Sequence, residues 1–272
     1  MEISFSKMQE NGNDFILVDE FEQTVIPDDM KAQFAAIYCD RRFGIGAEGV
    51  IYLMQSQKNV LRMRLYLPDE REAETPHTGI RCLAKYALDA GYVRETCTVG
   101  TAAGETAVSM RYEDQEFLAR ITLPQPKYER KDITATGSGE FREKIAGFEV
   151  HAVTIDAPHA VIIVDAVDAV DLDAAGPAIC HHASFPEAIS VSFVERNGRD
   201  SIRIRTFDHA AEGETLSCGT GAAASAVIVH KLGLCENVVE VETRGGSLTV
   251  SISDNVTMEG PATTVFSGHI TF

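Results

Sequence analysis

Thr220-Gly221-Ala222-Ala223-Ala224-Ser225-Ala226-Val227-Ile228-Val229-His230-Lys231-Leu232-Gly233 and Thr78-Gly79-Ile80-Arg81-Cys82-Leu83-Ala84-Lys85-Tyr86-Ala87-Leu88-Asp89-Ala90-Gly91 stand 142 positions apart in a chain of 272 residues. The same register continues through Val99/Val241, Thr101/Thr243, Gly104/Gly246, Val108/Val250 and Ser109/Ser251. An offset held this long marks an internal duplication. Each copy reads as a small-residue turn, a helix stopped by glycine, and a strand pair. One difference falls on the turn itself, where Cys218 of the second copy stands opposite Pro76 of the first. The repeat predicts an α+β fold of two pseudo-symmetric halves, 1–125 and 126–264, with the last strand, 265–272, joining the first half. It also predicts a cleft faced by the two helix N-termini.

Composition narrows the function classes. A net charge of −17 repels nucleic-acid backbones and anionic membranes, so neither is expected as a partner. Six cysteines (Cys39, Cys82, Cys97, Cys180, Cys218, Cys235) show no C-x-x-C spacing, and no early segment joins a basic start to an apolar run. This favours reduced thiols in a cytoplasm over a secreted disulfide scaffold or zinc ribbon. The apolar run Ala160–Val164 gives way to Asp165, Asp168, Asp171 and Asp173, far short of a membrane span. His181-His182 lacks acidic partners at ligand spacing, so no metal is expected there.

Short alternating or clustered apolar runs predict strands at Ile3–Met8, Phe15–Asp19, Val60–Leu67 and Phe117–Leu123 in the first half. Glu149–Ile155, Val161–Val164, Ile189–Glu195 and Ile202–Phe207 repeat the signature in the second. Helical spacing predicts helices at Asp28–Tyr38, Thr78–Ala90, Asp173–Cys180 and Gly221–Leu232. Pro124–Gly139, rich in Pro, Lys and Gly, reads as the connector. Hairpins mixed with two helices per half favour α+β over a strictly alternating parallel sheet.

Ser217-Cys218-Gly219-Thr220-Gly221 puts a thiol at the start of an alanine-rich helix. There the free N–H groups and helix dipole favour the thiolate, so a lowered thiol pKa is expected. With the Thr220 hydroxyl they also suit a carboxylate, and Gly219 and Gly221 would let a ligand approach the backbone. A base and an anion holder within one turn fit proton removal beside a carboxylate. Cys82, one turn into the first helix, reads as core.

Lys7-Met8, Gly12-Asn13-Asp14-Phe15, Asp40-Arg41-Arg42-Phe43-Gly44-Ile45-Gly46, Gly79-Ile80-Arg81-Cys82, Pro158-His159 and Gly213-Glu214-Thr215-Leu216-Ser217-Cys218-Gly219-Thr220-Gly221 together resemble the diaminopimelate epimerase family over nearly the whole chain. The resemblance implies two pseudo-symmetric halves, each a sheet-like barrel around a central helix. It further implies an enzyme needing neither pyridoxal phosphate nor metal, in which two opposed cysteines invert an α-carbon. Departures accompany it: Pro76-His77-Thr78-Gly79 replaces the first catalytic Cys-Gly-Asn-Gly. Leu67, Ala157 and Ser190 fall where substrate-side asparagines belong, and His209-Ala210 falls on a substrate-reading Glu-Arg pair. An arginine replaced by alanine removes a bidentate carboxylate partner, which makes diaminopimelate an unexpected substrate.

The expected activity is therefore a cofactor-independent racemase or epimerase of an amino-acid-like small molecule, with Cys218 as acid/base. His77, whose imidazole can exchange a proton near neutrality, is the candidate second acid, and Glu74 is an alternative. Candidate substrate contacts are Asn13, Thr78, Gly79, His159, Ser190, His209, Gly219, Thr220 and Gly221; His159 equally suits a loop-holding role. At His209, a neutral imidazole would accept from an ammonium. The small or apolar Leu67, Ala157, Ser190 and Ala210 predict a bulkier or less polar distal group. Two alternatives stay open: a single-base isomerase or lyase using Cys218 alone, and a non-catalytic binding protein. A homodimer is a further expectation.

Overall fold

The two glycine-stopped helices and the strands around them form two compact units, one of residues up to Ile121 with Gly260–Phe272, the other Thr122–Glu259. The computed structural model describes residues 2–56, 61–73 and 77–272. Val60, Glu74 and Pro76, weighed above, lie outside the described residues.

In chain order the first elements are β1 (Glu2–Glu10), β2 (Asn13–Glu20), α1 (Lys31–Tyr38), β3 (Gly49–Gln55), β4 (Leu61–Tyr66), α2 (Ile80–Asp89), β5 (Thr96–Thr101), β6 (Gly104–Glu113) and β7 (Glu116–Leu123). Then follow β8 (Arg142–Ile145), β9 (Phe148–Ile155), β10 (Ala157–Val164), α3 (Leu172–Cys180), β11 (Ser190–Arg196), β12 (Ser201–Asp208) and β13 (Gly213–Thr215). The last are α4 (Gly219–Lys231), β14 (Val238–Thr243), β15 (Gly246–Ile252), β16 (Val256–Pro261) and β17 (Thr263–Thr271).

Strand pairing repeats with the sequence. In the first unit β17-β1-β2-β3-β4-β5-β6-β7 pair successively antiparallel, antiparallel, parallel, antiparallel, parallel, antiparallel and antiparallel. In the second, β8-β9-β10-β11-β12-β14-β15-β16 pair in the same order of senses. Register equates the copies residue by residue. Met8 faces Phe15 as Val153 faces His159, and Phe15 lies beside Gly49 as His159 lies beside Ser190. By the same count Glu10 corresponds to Ile155.

Each unit wraps its strands about one helix. Gly221 to Val229 of α4 are all buried, against β9, β10, β11, β12, β14 and β15. Glycine, alanine and serine over its first turns keep the backbone close to those strands, which is why the helix reads as small-residue and apolar all round. In α2, Ile80, Arg81, Cys82, Leu83, Ala84 and Ala87 are buried, and the helix packs on β1, β6 and β17. Both helices end at an αL glycine, Gly91 at φ +78° and Gly233 at φ +71°. The amides of Tyr92 and Leu234 donate back to Ala87 and Val229, closing the last turn the same way.

Several sequence boundaries move. The first helix splits into a 3-10 turn at Asp28–Met30 and α1. α4 begins at Gly219, two residues ahead of the expected start, which makes Cys218 its N-cap. The strand Gly49–Gln55 went unpredicted; its core run Val50–Leu53 is too short and apolar to show a period. The connector holds a 3-10 turn at Arg130–Asp132.

Candidate active site

Cys218 caps α4 in extended conformation (φ −128°, ψ 108°), its Sγ accepting from the Gly221 N–H at 3.3 Å. Thr220 Oγ1 lies 3.4 Å from Sγ and 2.8 Å from His159 Nε2. His159 Nε2 is itself 4.0 Å from the sulfur. The β10 strand thus brings a fully buried imidazole against the first turn of α4, with the threonine hydroxyl shared between ring and thiol.

Proton affinities differ from the sequence expectation. Burial pushes the Cys218 thiol above its ordinary value, and the opposing contacts from Thr220 and the Gly221 N–H do not reverse this. The predicted lowering fails because desolvation of the thiolate outweighs its few donors. Burial also drives His159 down to about 4, so its ring is neutral at physiological pH. The proton therefore rests on sulfur. The glycines also sit where a side chain would not fit. A Cβ at Gly221 would meet Ser192 Oγ at 2.9 Å and Cys218 Sγ at 3.2 Å, and one at Gly219 would meet Met258 Cε at 2.9 Å. Glycine at 221 makes room for the thiol itself.

Ser190, beside His159 in the parallel β10–β11 pair, joins a polar cluster at the end of β12. Its Oγ is 2.9 Å from His209 Nδ1 and 3.3 Å from Asp208 Oδ2. The strand leading into the Cys218 turn is pinned by charge: Arg205 grips Glu214 with two contacts, 2.8 and 2.9 Å, and Arg244 adds a third at 2.8 Å. Those partners, Arg205 foremost, hold the Glu214 carboxyl below its usual range. Ala157 is half-buried and Ala210 exposed. Nearby, His181 is exposed on Glu212, and His182 bonds Ser184.

In the first unit the corresponding helix start is filled from within. Glu10, 2% exposed at the end of β1, accepts from the Gly79 N–H at 2.9 Å and the Cys82 N–H at 3.4 Å. Arg81 lies 3.5 Å from the same carboxylate and donates to Asn11 Oδ1 at 2.9 Å. The repeat counterpart of Glu10 is the apolar Ile155. Gly79 has φ +86°, and a Cβ there would meet Ile51 Cδ1 at 2.7 Å, so glycine is required. Half-buried His77 meets Thr106 Oγ1 at 3.1 Å through Nε2. Thr78 is exposed, Asn13 buried at the β1–β2 turn, and Leu67 half-buried. Cys82 is fully buried, in line with a core role.

Of the sequence-derived residues, Cys218, Gly219, Thr220, Gly221, His159, Ser190 and His209 share the second unit. Asn13, His77, Thr78 and Gly79 belong to the first. Glu10 and Asp208 were missed, since a single acidic residue at a strand end carries no spacing signal.

A family model described as diaminopimelate epimerase matches residues 5–125 and 151–265. A diaminopimelate epimerase from Methanocella arvoryzae is 46% identical, covering 98% of this chain and 96% of its own. One from Methanothrix thermoacetophila is 44% identical, covering 98% and 95%. Among solved structures, a Bacillus anthracis phenazine biosynthesis protein of the PhzF family superposes with TM-score 0.74 at 14% identity, over 100% of both chains. A hydroxyproline epimerase from Agrobacterium vitis, with bound trans-4-hydroxy-L-proline, gives TM-score 0.68 at 14% identity, over 99% of this chain and 91% of its own.

Proposed function

The chain belongs to the diaminopimelate epimerase family, and from that membership we propose that it moves the α-proton of an amino-acid substrate with Cys218 as acid/base. It is a cofactor-independent isomerase of the racemase and epimerase type. The observation that supports Cys218 is its place at the first turn of α4, with Thr220 and a neutral His159 against it. A substrate carboxylate held by the N–H groups of that turn would set its α-carbon near the sulfur. The incoming ammonium would favour the thiolate electrostatically, turning a protonated thiol into a base only when substrate is present. Thr220 Oγ1 and the Gly221 N–H would then hold the anion.

The relatives' names point to diaminopimelate. Leu67, Ala157 and Ala210 point away from a second amino-carboxylate, since none offers a polar side-chain atom for one. We take the substrate to be an amino acid with a less polar distal group, and an assay with diaminopimelate beside the common amino acids decides between them. Deuterium entering the α-position from D2O identifies the substrate.

A second reading is favoured by Glu10. Among the described residues, that carboxylate takes the Gly79 and Cys82 N–H groups at the start of α2, and His77 meets Thr106. Cys218 would then remove and return the proton on one face, shifting it rather than inverting the centre. Loss of optical activity with deuterium uptake supports inversion; uptake at a new carbon without it supports the shift.

A further inference from the structure

Ser190 is 3% exposed, and its hydroxyl stands among three groups of one short segment. The His209 backbone N–H reaches Ser190 Oγ at 3.2 Å, Asp208 Oδ2 lies at 3.3 Å, and His209 Nδ1 lies at 2.9 Å. A hydroxyl has one proton to give and two lone pairs to receive. The backbone N–H can only donate and the Asp208 carboxylate can only accept. Ser190 therefore gives its proton to Asp208 and receives from the N–H. One lone pair is left for His209 Nδ1, and that short contact is attractive only when Nδ1 carries a proton. The opposite assignment, with the Ser190 proton on Nδ1, turns an oxygen lone pair against Asp208. Asp208 is kept in place because its Oδ1 accepts from the Ala210 and Ala211 N–H groups at 3.0 and 2.9 Å.

We propose that Ser190 and Asp208 hold His209 in the Nδ1–H tautomer, so that the neutral ring offers the bare Nε2 as an acceptor for the substrate's ammonium group. His209 is exposed, and Nε2 has no partner among the described residues. Ser190 is the register neighbour of His159, which touches Cys218 and Thr220, so His209 contacts the residue paired beside the imidazole that faces the thiol. Carboxylate at the start of α4 and ammonium on His209 would grip the two functional groups of an α-amino acid, and a 2-oxo acid would find no use for the second grip. The inference rests on the amino-acid reading above for its ligand, and on the Ser190 geometry alone for the tautomer.

Nitrogen-15 NMR of the full-length chain, under mildly alkaline conditions where imidazole is neutral, reads the tautomer directly, with His209 assigned by its absence in His209→Gln. The expected spectrum has a protonated Nδ1 and a bare Nε2. A protonated Nε2 overturns the proposal while leaving Cys218 chemistry intact. Ser190→Ala is expected to release the ring to the Nε2–H form; retention of the Nδ1–H form overturns the role of Ser190. A pool of the common amino acids with diaminopimelate should shift the Nε2 resonance, and the matching 2-oxo acids should leave it in place. A shift with neither pool, or with both, overturns the ammonium assignment. Absence of deuterium exchange would instead strike the proposed function and leave the tautomer result standing.

Discussion

His159 Nε2 lies 4.0 Å from Cys218 Sγ, and the Thr220 hydroxyl touches both, at 2.8 Å from the ring and 3.4 Å from the sulfur. Burial moves the proton affinities of this pair in opposite directions, raising the thiol and lowering the imidazole. Desolvation disfavours the charged form of each, thiolate and imidazolium alike. The pair is consequently a neutral thiol beside a neutral ring.

The lowered His159 affinity makes folding pH-dependent. Its folded value of about 4 lies below the ordinary 6.5, so unfolding takes up a proton between the two. The stability is fully present above pH 6.5 and is lost as pH falls towards 4, to a total on the order of 3 kcal/mol. Urea unfolding of the native chain and of His159→Gln across that range checks this. The native chain should lose more stability on acidification than the variant, and parallel curves would refute the buried neutral ring.

The raised thiol affinity predicts slow alkylation at neutral pH. Because the thiolate is the nucleophile, iodoacetamide labelling of half-buried Cys218 should keep climbing past about pH 9. Cys82, fully buried, should stay unlabelled in the folded chain. A labelling rate that levels off below neutrality would show an activated thiolate instead.

Glu10→Gln keeps the shape of the side chain and removes its charge. Arg81 is 2% exposed and would be left without its carboxylate. Losing one partner of a buried pair should cost about 3 kcal/mol, read as a lower urea midpoint with unchanged slope. A loss below about 0.5 kcal/mol, the ordinary range for a surface change, would contradict the described role.

Gly221→Ala tests how tightly the thiol is seated. The added methyl group would press on Ser192 Oγ and Cys218 Sγ, at a stability cost of about 1–3 kcal/mol. Exchange activity should fall well beyond what that cost explains, because the sulfur is displaced from its position at the helix start. Activity equal to the native chain would show that the thiol has room to spare.

Much of this architecture was legible in the chain. The 142-residue offset announced two like units, and Gly91 and Gly233 marked both helix ends because an αL residue tolerates little else. The Cys218-Gly219-Thr220-Gly221 turn was legible as a helix start, because small residues behind a capping side chain are individually telling. Less could be read where function depends on burial or on contacts distant in sequence. The thiol pKa was expected on the wrong side of its reference, because donors near Cys218 are visible in sequence and desolvation is not. Glu10 reaches Gly79 across 69 positions, and Ser190 reaches His209 across 19, with no periodic pattern linking either pair. The short apolar run inside Gly49–Gln55 hid a strand for a simpler reason, since it is buried on both faces and lacks alternation.

The proposed proton transfer depends on Cys218. With the native chain in D2O and a pool of diaminopimelate and the common amino acids, one compound should take deuterium at its α-carbon. In Cys218→Ser that rate should drop by about 10²–10⁴-fold, the usual worth of a positioned acid/base, with the fold intact by circular dichroism. Deuterium uptake at the native rate in the serine variant would contradict it.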